Sequence, residues 1–451
     1  MRTTLFLLAI LLTAGISPAA VPEYRMGFDE GVQAALAKSA RLKAVEREQA
    51  AARQKSAGTM GVLLPRLSID ASYRQVTEVP EMALVPGRPP VKFGDNNNWS
   101  VGPGASWTVW DWGSAYMGWR SIAALTDAKG EEAALTRRQI RLSASTAYCQ
   151  VQVALEAARL LADSLKLAEE QYRDISRRLN AGSASKLDAL LAHQDVLARQ
   201  REFIQARTAL GSALQDLFAL TGTGEGLDTA FPVDATTAAA MPADVPAHSL
   251  IVAMDPMEVS ATLLNESIRR RPDSQYPGVR FYSRMADSSR NAANGVLASN
   301  LPALSVSARA TRDYPNGPVL EEINQRTWMA VVSFPVFEWG CRGREEWEQR
   351  EKTKAYEERR NLAMVELLRD WRKASDALAG LDIQGGVNRQ AAAETAELAR
   401  LTYDAYKTGQ ARFTEVQAAN LRALQARVQE VRTKAETLVQ MAIIKSLSRE
   451  E

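Results

Sequence analysis

The sequence predicts a mainly α-helical chain with a β-barrel part, built as two tandem repeats. Three observations carry that prediction. The chain echoes itself at a fixed spacing: Asp111-Trp112-Gly113 returns as Glu338-Trp339-Gly340, and 69 residues after each closing glycine stands another, Gly182 and Gly409. A duplication that keeps such a span without insertion points to a rigid element of fixed length, most simply one very long helix. The segments before these motifs alternate strictly between apolar and polar residues, as strands do. The segments after them carry apolar residues in steps of four and three, as coiled coils do.

The chain opens with a secretory signal over residues 1–19. Arg2 supplies a positive start, Leu5 to Leu12 an apolar run and Ser17-Pro18-Ala19 the small residues of a cleavage site. Export from the cytoplasm follows, with no spanning helix and no cysteine placed for a lipid anchor. The formal net charge is +2 without a basic block, so nucleic acid is not an expected partner. Cys149 and Cys341 make no disulfide framework and read as small buried side chains. Two histidines, His193 and His248, leave too little for a metal cluster or a nucleophile–base set. No cofactor, metal or enzymatic activity is expected.

The first repeat spans 20–220 and the second 251–451, joined by a linker over 221–250 rich in Gly, Ala, Thr, Pro and Asp. Each reads as helix, two strands, long helix, turn and return helix. In the first, a helix from Phe28 to about Met60 ends before Pro65, which lacks a backbone donor. Leu67, Ile69, Ala71 and Tyr73 then alternate with Ser68, Asp70, Ser72 and Arg74, and Trp99, Val101, Ala105, Trp107 and Val109 do the same. Leu304, Val306, Ala308 and Ala310, with Trp328, Ala330, Val332, Phe334 and Val336, repeat the pattern.

An amphipathic sheet on a soluble core would show this alternation. So would a transmembrane barrel, and the strand length of about ten residues, the terminal aromatics and the polar Pro/Gly-rich loops favour the barrel. Four strands do not close a barrel, since about eight are needed. Two chains would give one filled by its own side chains; a pore requires three or more.

After Gly113 a stripe of Ile140, Ala144, Ala147, Val151, Ala154, Ala158, Leu161, Leu165, Ala168, Tyr172, Ile175 and Leu179 runs without a fault. Its alanines permit close helix approach. The last helix has a seam of Leu421, Leu424, Val428, Val431, Ala435, Leu438 and Ala442. In the second long helix the stripe of Leu367, Trp371, Ala374, Leu378 and Leu381 is lost at Gly385-Gly386, which predicts a break or bulge there.

These residues resemble the TolC-like outer-membrane efflux and export channels, the outer membrane factors, over essentially the whole mature chain. Pro335-Val336-Phe337-Glu338-Trp339-Gly340 meets that family's strand exit of proline, apolar, aromatic, acid, any, glycine. Thr108-Val109-Trp110-Asp111-Trp112-Gly113 is a looser version without the proline. Arg271-Pro272-Asp273 resembles the phrase before a repeat's upward helix. Tyr406 and Gly409, followed by Phe413, Glu415 and Val416, resemble the tip motif, with Leu179, Asn180, Gly182, Leu187 and Asp188 as the first-repeat counterpart.

The resemblance implies a homotrimer in the outer membrane of a Gram-negative bacterium. Its twelve strands would form one barrel in outer-membrane lipid, and its helical hairpins a periplasmic tunnel. It would dock with a periplasmic adaptor (membrane fusion protein) and an inner-membrane pump, in efflux or type I secretion. Glu415, Asp188, Tyr406, Arg412, Gly182 and Gly409 would then form the gate and tip, Gly385 and Gly386 a bending point, and Asp111, Gly113, Pro335, Glu338 and Gly340 the strand-to-helix junctions. Three copies of Asp188 or Glu415 would make a carboxylate ring that favours cations. Ser185 with Asp188 and Thr414 with Gln417 also read as helix capping boxes, which would need no gating role. The competing class is a soluble periplasmic coiled-coil adaptor or scaffold, with its strands in an ordinary sheet.

Overall fold

The computed structural model describes residues 21–448, apart from 84–86, 88, 240, 242–244 and 266–270. The predicted signal segment lies outside the described residues. The first repeat runs β1 (Glu23–Met26), α1 (Phe28–Lys38), α2 (Ala40–Met60), β2 (Arg66–Gln75), β3 (Glu81–Met82), β4 (Val91–Lys92), β5 (Asn97–Trp110), α3 (Ser114–Asn180) and α4 (Lys186–Thr221). A joining segment carries β6 (Pro232–Val233) and α5 (Ala235–Ala239). The second repeat follows as β7 (Leu250–Met254), α6 (Met257–Asn265), α7 (Pro277–Ala298), β8 (Ala303–Tyr314), β9 (Ile323–Ser333), α8 (Cys341–Lys407) and α9 (Phe413–Leu447). The order of elements is duplicated, and α3 and α8 have the same length, 67 residues each. At ~1.5 Å per residue each is about 100 Å along its axis.

The chain divides into two compact units, one holding 40–138 and 271–370 and the other the remaining segments. In the former, β2, β5, β8 and β9 form one antiparallel sheet in that order. Its apolar side chains stand in solvent: Leu67, Ile69, Trp328 and Val332 are all largely exposed. The opposite face pairs polar groups, with Arg309 3.4 Å from Asp70 and the Ser100 hydroxyl donating to Asp313 at 2.5 Å. Gly102 lies so close to β8 that a Cβ there would meet the Ala310 carbonyl oxygen at 2.1 Å, so no larger residue fits. The helices of this unit are joined by ion pairs: Lys129 with Glu48 and Arg137 with Glu46 (α3 to α2), Arg280 with the half-buried Glu131 (α7 to α3), and Arg290 with Glu357 (α7 to α8).

In the other unit, β1, β7 and β6 form a small parallel sheet that the sequence did not suggest. Its strands are two to five residues long, too short for a periodic signal. Around it Phe28, Tyr148, Leu210, Leu214, Leu217, Leu250 and Val252 make the main apolar core. The Tyr148 hydroxyl donates to the Met26 carbonyl at 2.9 Å and accepts from the Asp255 amide at 3.0 Å, linking equivalent points of the two repeats. Burial pushes that phenol well above its ordinary pKa.

The joining segment is not the extended linker that its composition suggests. Arg207 of α4, fully buried, donates to the carbonyls of Phe231, Pro246 and Ala247 and lies over the Phe203 and Phe231 rings. Among the described residues three backbone carbonyls hold this guanidinium, and burial lowers its pKa to about 10. Asp234 caps α5 through the Thr236 and Thr237 amides and pairs with Arg159 at 3.0 Å.

The α3 stripe is packed as read, with Ala144, Ala147, Val151, Ala158, Leu165, Ala168 and Ile175 buried. Along α9, Ala435, Leu438 and Ala442 are buried, whereas Leu421 and Val428 remain exposed. The predicted break at Gly385-Gly386 does not occur: α8 is helical from Cys341 to Lys407. Its inward stripe continues in step through Gly385, Asn388, Ala392 and Thr395, each partly or fully buried. Large apolar residues give way there to small and polar ones, and the Asn388 amide donates to the buried Thr433 hydroxyl on α9 at 2.8 Å. The apparent loss of periodicity was a change of residue type, not of geometry.

Two outcomes follow. Gly386→Ala is expected to stabilise the protein by roughly 0.5–1 kcal/mol in thermal denaturation, because nothing lies within 4 Å of the added Cβ. A lower melting temperature would mean that the glycines serve a bend. Cys341 is exposed, not buried as its sequence setting suggests, so under native conditions a maleimide should label it and leave Cys149, whose buried thiol is pushed up to about 12.

Candidate functional site at the helix tips and strand exits

The two helix turns are built alike. Gly182 and Gly409 have φ of 75° and 78°, a left-handed conformation that glycine adopts without a Cβ clash. Around each the amide network closes the helix end: Gly182 N donates to Leu179 O and Ser183 N to Arg178 O, and Gly409 N to Tyr406 O and Gln410 N to Ala405 O. This pair of bonds is the Schellman arrangement, which satisfies carbonyls that the helix itself leaves open.

The return helices begin differently. In α4 the Ser185 hydroxyl accepts from the Asp188 amide at 3.0 Å, as the capping reading expects. In α9 the capping position is Arg412, with no side-chain cap. The expected box of Thr414 and Gln417 does not form. The Gln417 amide instead donates to the Leu191 carbonyl at 3.1 Å and ties α9 to α4. Phe413 and Val416 bury themselves against Ile175, Ala189 and Ala192.

A polar network joins α3 to α8 beside this cluster. The Tyr403 hydroxyl donates to Asp174 at 3.0 Å, Asp174 pairs with Arg178 at 3.2 Å, and Arg178 reaches the Lys407 carbonyl at 3.4 Å. The Lys407 ammonium sits 4.5 Å from the centre of the Tyr403 ring. Tyr406 stacks on Tyr403 and leans on Phe413. Burial, then the neighbouring Asp174, raises the Tyr403 pKa; burial, then Asp188, raises that of Tyr406. Asn420 adds a bond to Gln171 at 3.1 Å.

Of the residues predicted for the tip, Asp188 and Tyr406 come together, and Gly182 and Gly409 each close their own helix turn. Arg412 and Glu415 are exposed at the start of α9, with no side-chain bond to the others among the described residues. Tyr403 was missed, although it stands one helical turn before Tyr406. Its partner Asp174 is 229 residues away, a distance at which one sequence gives no signal.

The strand exits are duplicated too. Trp112 and Gly113 have φ of 57° and 82°, and Trp339 and Gly340 have 53° and 73°. A left-handed tryptophan costs roughly 1–2 kcal/mol, so two at equivalent positions mark a required sharp turn. Asp111 stabilises the first by capping α3, accepting from the Gly113 and Ala115 amides at 3.0 and 2.8 Å. Glu338 instead pairs with Arg342 of α8. Pro335 lies in the irregular stretch between β9 and α8. Among the described residues no group of His, Cys, Asp and Glu is placed to hold a metal ion.

The sequence model of the family "Outer membrane efflux protein" matches residues 31–223, most of the first repeat. No curated protein sequence matches this chain. Among solved structures, a membrane protein from Pseudomonas aeruginosa is 16% identical with a TM-score of 0.72, covering 93% of each chain. The outer membrane protein VceC from Vibrio cholerae is 14% identical with a TM-score of 0.72, covering 93% of this chain and 95% of that one. The open state of the MtrE outer membrane channel of Neisseria gonorrhoeae is 16% identical with a TM-score of 0.67, covering 93% of this chain and 88% of that one.

The chain has the fold of the TolC-like outer membrane factors. Within this fold the acids at the strand exits stand at helix starts, and the tip is where polar contacts join separate hairpins.

Tyr403→Phe removes the donor to Asp174 while leaving Asp174 paired with Arg178. It is expected to cost about 0.5–1.5 kcal/mol and to speed amide exchange at the α8–α9 turn, read by mass spectrometry. Unchanged exchange would show that the bond does not hold the tip. Because both phenol pKa values are raised, their contribution is fully present below pH ~10 and is lost as pH rises through the folded values.

Proposed function

We propose that this protein is the outer-membrane exit duct of a tripartite efflux or type I secretion system, assembled as a homotrimer. The observation that carries this reading is the sheet. Its strands of 10 to 14 residues match a tilted membrane crossing, one face is apolar and exposed, and among the described residues nothing pairs with the outer edges of β2 and β9. Lipid tolerates no open sheet edge, and four strands are too few to close. Three copies joined β9 to β2 make a twelve-stranded barrel wide enough to pass cargo. Among the described residues no helix is long and apolar enough to cross a membrane, so membrane residence rests on the sheet.

The duct is passive. Cargo (small molecules, metal ions or polypeptides) is selected by an inner-membrane pump and handed over through a periplasmic adaptor, or membrane fusion protein, at the helix tips. Tyr403, Tyr406, Asp174, Asp188 and Arg178 hold the hairpins together in the resting state. Glu415 presents an unengaged carboxylate, which threefold symmetry turns into a ring favouring cations.

Carbonate washing of bacterial membranes tests the placement: the protein should stay with the membrane, and release would return it to the soluble scaffold class. Cysteines placed on β2 and β9 in a Cys341→Ser background should cross-link three copies and no more. In planar bilayers Glu415→Ala should lose much of the cation preference, and an unchanged reversal potential would remove Glu415 from the mouth.

A further inference from the structure

The outward face of the sheet is not uniformly apolar. On β2 and β5 it carries Ile69 opposite Pro103 and Ala71 opposite Val101, ending at Tyr73 opposite Trp99. On β8 and β9 the apolar run stops earlier. Ala308 faces Trp328, but the next outward pair is Ala310 with Arg326 and the one after is Arg312 with Asn324. Arg312 also lies opposite Val101, and Tyr314 opposite Trp99. Two guanidinium groups therefore occupy rows that the neighbouring strands fill with alanine, valine and proline.

Arg312 and Arg326 are diagonal neighbours on one face, about 7–8 Å apart at the backbone and within reach of one ligand. The stacked rings of Trp99 and Tyr314, 6.2 Å apart, bound the patch on the side of the hairpin loops. Trp328, 83% exposed, bounds it on the other side. Arg312 is ion-paired with Glu322. Arg326 is exposed, and no hydrogen bond or ion pair holds it among the described residues. An arginine on the lipid face is unfavourable in a depth-dependent way, and a matching anion removes that penalty.

We propose that Arg326 and Arg312 form a binding site for the phosphate of a phosphorylated glycolipid in the outer leaflet. This rests on the channel reading, which puts the hairpin loops at the cell exterior. Arginine forks match phosphate oxygens two at a time, and Trp328 offers an apolar wall to the acyl chains below. Glu322 keeps one guanidinium oriented and leaves the patch with a net positive charge. The site gives the barrel a fixed lipid neighbour next to the β9 edge, where one copy would meet the next.

The test uses the full-length protein in detergent, with native mass spectrometry reading lipid retention. Three probes are compared: bisphosphorylated lipid A, its dephosphorylated form and inorganic phosphate. The wild type should retain the phosphorylated lipid about tenfold better than the dephosphorylated one, the scale of a charge-assisted hydrogen bond. The pair Arg312→Gln and Arg326→Gln should abolish that preference, and Arg309→Gln on the inward face should keep it. Equal retention of both lipids by the wild type, or an unchanged preference in the double variant, overturns the proposal. Displacement of the lipid by inorganic phosphate would mean a free-anion site and would also overturn it. Carbonate extraction of the same protein separates the two readings. Membrane retention without lipid preference sinks this site alone, and release from the membrane sinks the channel with it.

Discussion

A strand at the edge of a sheet carries backbone donors and acceptors that must be paired somewhere. β2 and β9 are two such edges, 10 and 11 residues long, and among the described residues no further strand covers them. Most of what is unusual about the molecule answers to this. The sheet takes two strands from each repeat, so the chain enters it twice and leaves it twice. The chain turns from strand to helix over residues 111–113 at the first departure and 334–340 at the second, and a left-handed tryptophan–glycine pair completes each turn.

The duplication is faithful in backbone and free in chemistry. Both turns have the same glycine-centred hydrogen bonds, and both exits have the same pair of positive φ angles. The side chains around them have diverged. Asp111 caps its helix through two amides, while Glu338 finds an arginine one turn on. Ser185 caps α4, while α9 starts uncapped and is fastened sideways by Gln417 to α4. The first repeat thus caps both helix starts through backbone amides, whereas the second uses a local ion pair at α8 and a bond to α4 at α9.

Much of this was legible in the sequence, and the failures have physical causes. Ala144 to Leu179 could be read because a heptad of apolar residues has one structural meaning over so many turns. The sheet could be read because alternation over ten residues has period two. Gly385 and Gly386 misled because local helix propensity was set against a tertiary seam, and packing against Thr433 prevailed. The small parallel sheet was invisible, since β1 and β6 are too short for any pattern. Arg207 turned a Gly- and Pro-rich stretch into an ordered wrap, and the composition of that stretch records nothing of a guanidinium on another helix. At the tip, Gly182 and Gly409 were readable as turn residues, but the Tyr403–Asp174 bond depends on how two hairpins meet.

The α8 seam has one further consequence. Helices that pack through glycine, alanine and threonine touch closely but almost equally well at several axial offsets, because small side chains make shallow knobs. A pair of helices so matched has a smooth track and needs a detent. Asn388 and Thr433 supply one: their hydrogen bond exists at a single offset, and a slide of α8 by one turn would break it at the buried Thr433. The same contact that looks like a weak point in an apolar stripe therefore sets where the second hairpin comes to rest.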